Sequence, residues 1–112
     1  MVSKQLLLNA ETAAALLTLM GNAKRLVIIC HLLDGEMSVG AIAKKVALSQ
    51  SALSQHLAKL RSVDLVETRR DRQTIYYSCK SPAVRGLLDT LENIFGEASD
   101  NNRSRLLKLM RA

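Results

Sequence analysis

Apolar residues in this chain recur at helical spacing along most of its length and change period at one place. From Asn9 to Met20, the residues Ala13, Leu16, Leu17 and Met20 fall on one helical face, and Gly21 ends the run. Asn22 then caps a second helix in which Leu26, Ile29, Cys30 and Leu33 stand at i, i+3, i+4 and i+7, which predicts a buried helix stopping at Asp34-Gly35. Ser38 opens a short amphipathic helix with Val39, Ile42, Ala43 and Val46 inward and Lys44 and Lys45 outward. Ser49 caps again at once, and Leu53, Leu57 and Leu60 form the buried stripe of a helix running to about Ser62. After Asp64 the period shortens. Leu65 to Thr68 and Thr74 to Ser78 are two strand-prone runs separated by Arg69, Arg70, Asp71, Arg72 and Gln73, which predicts a hairpin with a basic tip. Ser81-Pro82 starts a last helix through Val84, Leu87, Leu88, Leu91, Ile94 and Phe95.

This order is mainly α with a small β-hairpin. Two short helices joined by a tight turn and followed by a hairpin make a winged helix-turn-helix, an arrangement that seats one helix in the major groove and lays the hairpin along the flanking backbone. At 112 residues with one Pro and no low-complexity run, the chain reads as one domain over residues 1–100, with a basic tail or short helix at 101–112 through Leu106, Leu107 and Met110.

Charge sharpens the picture when it is located. The total is +6, yet residues 1–37 are neutral, 38–80 carry +5, 81–100 carry −3 and the tail carries +4. The excess therefore sits on the helix pair and hairpin, as neutralisation of phosphates requires. With Tyr76, Tyr77 and Phe95 as the aromatic residues and no Trp, a platform for stacking single-stranded bases is poorly supplied, which favours a duplex. No apolar stretch approaches the roughly 20 residues of a membrane helix, no secretory signal is visible at the start, and Cys30 and Cys79 have no close-spaced companions. The expectation is a reduced, cytoplasmic protein with no membrane partner.

On the helix after Ser49, the face opposite the leucines carries Ser51, Gln55 and Ala58, flanked by Gln50 and Ser54. It is polar and uncharged. Gln pairs with the N6 and N7 edge of adenine, so Gln50, Ser51, Ser54 and Gln55 are the candidates for reading bases. A solvated helix face is the plain alternative. Lys44, Lys45, Lys59, Arg61, Arg69, Arg70 and Arg72 suit phosphate contacts, and His56 beside the buried stripe suits a backbone carbonyl or a phosphate. No His or Cys stands three or four residues from His56, His31 points about 100° away from the adjacent Cys30 on their helix, and Asp89 with Glu92 lacks histidines, so no metal site and no cofactor are expected.

The segments NAKRL, LSQSALSQHLAKLR and ETRRDRQTIYYS together resemble the ArsR/SmtB family of bacterial winged-helix repressors, and the likeness runs from Ala14 to Phe95. The resemblance implies a homodimer paired through its first and last helices, with Leu16, Leu17, Met20, Leu87, Leu88, Leu91, Ile94 and Phe95 at the interface. It also implies binding to a partly palindromic promoter site, usually with repression. Metal-sensing members carry a cysteine pair in the helix that begins here at Ser38, or a His/Asp/Glu set on the last helix; this chain has neither. Persulfide-sensing members use two cysteines, of which Cys30 matches the first and Gly96 stands at the second, so a two-cysteine switch in that form is excluded. Cys30 is expected to be a buried packing thiol, with a redox role as the alternative. Two further classes are a module docking an acidic protein through the hairpin and basic tail, and a small enzyme, for which no nucleophile and base converge. The effector is left unknown.

Overall fold

The computed structural model describes residues 2–96 together with 107, 108, 110 and 111. The chain divides into two compact units, Met1–Cys79 and Lys80–Ala112. The first contains α1 (Lys4–Leu8), α2 (Ala10–Met20), α3 (Ala23–Asp34), β1 (Met37–Ser38), α4 (Val39–Val46), α5 (Gln50–Ser62), β2 (Glu67–Asp71) and β3 (Thr74–Ser78), and the second contains α6 (Pro82–Phe95).

The predicted caps form. The Asn22 side chain accepts from the Arg25 amide, and the hydroxyls of Ser38, Ser49 and Ser81 accept from the amides of Ala41, Ala52 and Val84. Each side chain satisfies an amide that the first helical turn leaves without a partner. α4 packs on both α3 and α5. The core is built from Ile28, Ile29 and Leu32 of α3, Ile42 and Val46 of α4, and Leu53, Leu57 and Leu60 of α5, all at most 5% exposed.

Four features differ from the sequence reading. The short helix α1 precedes the expected first helix, capped by the Ser3 hydroxyl and bounded by Asn9. In α3 the buried face is Ile28, Ile29 and Leu32, with Leu26 and Leu33 half-buried and Cys30 exposed. The unbroken apolar run Leu26 to Cys30 leaves the helical phase open, and packing against α4 selects the face one residue away from the expected one. The expected buried thiol is therefore on the surface, and Cys79 is the buried one. Met20, expected with Leu16 and Leu17 at a dimer interface, is a core residue within the chain, at 6% exposure.

The fourth difference is the sheet. The hairpin is joined by β1 into an antiparallel sheet in the order β1-β3-β2, with Met37 opposite Tyr77 and Ser38 opposite Tyr76. β2 begins at Glu67 rather than Leu65 and continues through Asp71, which lies opposite Thr74. The link is thus a two-residue turn, Arg72-Gln73, with Arg72 at φ 58°. A left-handed residue at the start of a two-residue turn matches the twist of the strands it connects, and the ladder can then close five pairs where a five-residue loop was expected.

α6 carries Pro at its start and Gly96 after its end; Val84 is buried, Leu87, Leu88, Leu91 and Ile94 are half-buried, and Phe95 is 47% exposed. Within the tail, Leu107, Lys108, Met110 and Arg111 are helical and exposed. Leu106 and the rest of the expected tail helix lie outside the described residues. Among the described residues no single helix is long and apolar enough to cross a membrane.

Candidate nucleic-acid interface

The helix pair turns on Ala47 and Leu48. Ala47 has φ 54° and ψ 48°, the left-handed conformation that closes a helix, and the Leu48 amide donates to the Ala43 carbonyl at 3.2 Å. The Ser49 hydroxyl then starts α5 by accepting from the Ala52 amide at 3.1 Å. Only Ala47 and Leu48 stand between the end of α4 and the cap of α5, and both are tied down in this way, so the direction of α5 is fixed relative to α4.

α5 presents two unlike faces. Leu53, Leu57 and Leu60 are buried, while Gln50, Ser51, Ser54, Gln55 and Ala58 are exposed. Every proposed base reader is therefore on the open side. Lys59 and Arg61 are exposed in the last turn, where positive charge also suits the carbonyl end of the helix dipole. Lys44 and Lys45 stand exposed in the last turn of α4. His56 is half-buried. Burial first, and then the cations of Arg25 and Lys59, hold its imidazole below the ordinary value of 6.5, which favours the neutral form.

Between the start of α4, the first residue of α5 and the hairpin lies a groove of about 370 Å³ lined by Ser38, Val39, Gly40, Gln50, Gln73, Thr74 and Ile75. The sequence reading missed Ser38, Gln73 and Thr74 as neighbours of Gln50, because β1 brings them together and β1 has no local signature. Arg70 and Arg72 are exposed on the hairpin, one on β2 and one in the turn.

Arg69 is not where the basic-tip expectation put it. It lies within β2, opposite Tyr76, and its guanidinium is engaged by Glu36, the residue just before β1. Arg69 Nε donates to both carboxylate oxygens at 3.2 and 3.0 Å, and Nη2 donates to Oε1 at 2.7 Å. The guanidinium carbon lies 4.8 Å from the centre of the Tyr76 ring. The hydrogen bonds that Arg69 donates to Glu36, and then the charge of that carboxylate, raise the Arg69 pKa. The Arg69 side chain is thus exposed but already engaged by a carboxylate.

Apolar surface is concentrated elsewhere in the first unit. Leu6, Leu7 and Leu8 of α1 are 50%, 67% and 72% exposed, and Leu17 of α2 is 59% exposed. Leu16 is half-buried and lines an apolar groove of about 350 Å³ with Thr12, Ala15, Leu19, Val63 and Leu65. Among the described residues no group of three or more His, Cys, Asp or Glu side chains could hold a metal ion. Cys30 and Cys79 form no disulfide.

Residues 22–68, from the cap of α3 into β2, match the family described as "Bacterial regulatory protein, arsR family". The chain is 58% identical over 92 residues to the nodulation protein NolR of Rhizobium meliloti, a match covering 82% of this chain and 75% of that one. The chain belongs to the ArsR family. It is also 45% identical over 91 residues to the transcriptional activator HlyU of Vibrio cholerae, covering 81% of this chain and 84% of the relative. The crystal structure of the transcriptional repressor BigR from Xylella fastidiosa superposes with a TM-score of 0.79 at 34% identity, covering 85% of this chain and 97% of that one. The fold is thus the winged helix-turn-helix of ArsR-family regulators, with α4 and α5 as the helix pair and β2-β3 as the wing. An ArsR-family chain of this kind is a DNA-binding transcriptional regulator, and its relatives are regulators rather than enzymes.

Proposed function

We propose that this regulator is a cytoplasmic homodimeric repressor that reads a partly palindromic promoter site. α5 enters the major groove, with Gln50, Ser51, Ser54 and Gln55 toward base edges. Lys44, Lys45, His56, Lys59 and Arg61 hold the backbone around it, and Arg70 and Arg72 hold the backbone at the wing. The observation that carries this reading is the exposed, uncharged polar face of α5, backed by a fully buried leucine stripe and bordered by cations. Such a face adds hydrogen-bonding choice without indiscriminate attraction to phosphate.

The exposed leucines of α1 and α2 support pairing of two copies, as do the half-buried apolar residues of α6 and exposed Phe95. Two reading helices related by a two-fold axis require half-sites about 34 to 36 Å apart, or a multiple of that spacing. No metal and no cofactor enter the reading, and the effector is unassigned.

The test selects bound sequences from a random duplex library and then measures affinity for the selected and a scrambled duplex across salt concentrations. A two-fold-related site and a log K against log salt slope of several units are expected. Equal binding to both duplexes would overturn the reading. Gln55→Ala should lose about 1 to 3 kcal/mol on the selected site and little on the scrambled one. Equal losses on both would make Gln55 a backbone contact instead.

A further inference from the structure

We propose that Arg69 is a positioning residue that latches the wing to the start of the helix pair through Glu36 and Tyr76, and that it does not count among the phosphate contacts. The proposal rests on the assignment of β2-β3 as a DNA-contacting wing. Three observations lead to it.

Arg69, Tyr76 and Ser38 are successive Cα partners across the three strands, Arg69 opposite Tyr76 and Tyr76 opposite Ser38. Directly opposed residues project to the same face of a sheet. Glu36, beside β1, reaches over β3 to bind the guanidinium on β2 in a forked arrangement, with Tyr76 beneath the cation. The interaction therefore spans the whole sheet. At the β1 end of the same row, Ser38 caps α4 with its hydroxyl on the Ala41 amide. A tilt of the wing relative to the helix pair would have to break this row, so the latch sets where Arg70 and Arg72 arrive when α5 is in the groove.

Exposure decides what the latch is for. The Arg69 and Glu36 side chains are 54% and 37% exposed, and pairs this open to water add little to folding stability. Orientation is the property that a forked ion pair over an aromatic ring can still supply. The pair has no net charge, and a guanidinium already neutralised by a carboxylate displaces no counterion from DNA. Arg70, the next residue along β2, has the opposite assignment: it faces away from Arg69 by strand alternation and is exposed.

The experiment compares the charge-neutral double variant Arg69→Gln/Glu36→Gln with the single variant Arg70→Gln on the selected duplex, across salt concentrations. The double variant should keep the wild-type urea midpoint and salt slope, while its affinity falls several-fold at every salt concentration. Arg70→Gln should lower the slope by roughly 1.8, the value for two phosphates, one from each protomer of the dimer. The exchanged pair Arg69→Glu/Glu36→Arg restores the ion pair with reversed ends and should recover most of the affinity lost by the double variant. A slope decrease in the double variant equal to that of Arg70→Gln would overturn the proposal, because Arg69 would then be touching phosphate. Wild-type affinity in the double variant would also overturn it, as would failure of the exchanged pair to recover binding. Failure of the underlying wing assignment is separately visible: Arg70→Gln and Arg72→Gln would then leave both affinity and slope unchanged.

Discussion

Replacing Ala47 by Gly should stabilise the protein, whereas the same replacement at Ala58 should destabilise it. Both alanines are exposed, so side-chain packing contributes little to either outcome. Ala47 sits at φ 54° and ψ 48° in the turn between α4 and α5, and Ala58 is in the interior of α5. An L-residue in the left-handed region carries a penalty of about 1 to 2 kcal/mol that Gly does not. Gly in turn costs about 0.4 to 1 kcal/mol by enlarging the freedom of the unfolded chain. The difference for Ala47→Gly is a gain of roughly 0.5 to 1 kcal/mol. Ala58→Gly has no strain to relieve and should cost about 1 kcal/mol. Urea denaturation followed by helical circular dichroism, at one fixed protein concentration so that any self-association contributes equally, measures both. With a denaturant slope of about 1.5 to 2 kcal/mol/M, the two midpoints should differ by roughly 1 M. If Ala47→Gly is as destabilising as Ala58→Gly, the turn is not left-handed at Ala47, and the account of how α5 is aimed fails with it.

Other outcomes follow from the same structure. Ser49→Ala removes the oxygen that accepts from the Ala52 amide at 3.1 Å and should cost about 1 kcal/mol in urea denaturation. His56, held below its ordinary pKa by burial and by Arg25 and Lys59, disfavours the proton in the folded state. The unfolded chain therefore takes up that proton first as pH falls past about 6.5, and stability drops. Wild type should lose more stability than His56→Gln between pH 7.5 and 5.5; equal losses would show that His56 is not responsible. A thiol reagent should modify Cys30 in the native protein and Cys79 only after unfolding, read as the mass gained by each cysteine-containing peptide.

The parts of the fold that depend on local chemistry were legible in the chain. Asn22, Ser38, Ser49 and Ser81 could be identified as caps because a small polar side chain before an apolar periodic run has a specific local use, and all four accept the expected bond. The leucines of α5 define the exposed face by opposition, which is why Gln50, Ser51, Ser54 and Gln55 emerged together. What escaped depends on distant partners. β1 is two residues long and exists only because Tyr76 and Tyr77 lie across from it. Glu36 and Arg69 are 33 positions apart, and with β1 unseen nothing related them. The sequence predicts too short a hairpin because Arg69 and Arg70 are not among the β-branched and aromatic residues enriched in strands; pairing with Tyr76 and Ile75 overrides that. Cys30 and Met20 were misplaced for the related reason that an apolar residue's periodicity names a stripe without saying which element will cover it.

The two-faced construction of α5 separates the face proposed to read DNA from the face that keeps the protein folded. Substitutions at exposed positions away from caps and special backbone sites typically change stability by no more than about 0.5 kcal/mol. Gln50, Ser51, Ser54 and Gln55 are such positions, while Leu53, Leu57 and Leu60 on the other side of the same helix are 0%, 1% and 0% exposed. New side chains can therefore be tried on the open face one at a time with the scaffold intact, and on the proposed reading each would change sequence preference. A regulator built this way can be redirected to a different operator by gradual mutation without passing through an unfolded intermediate.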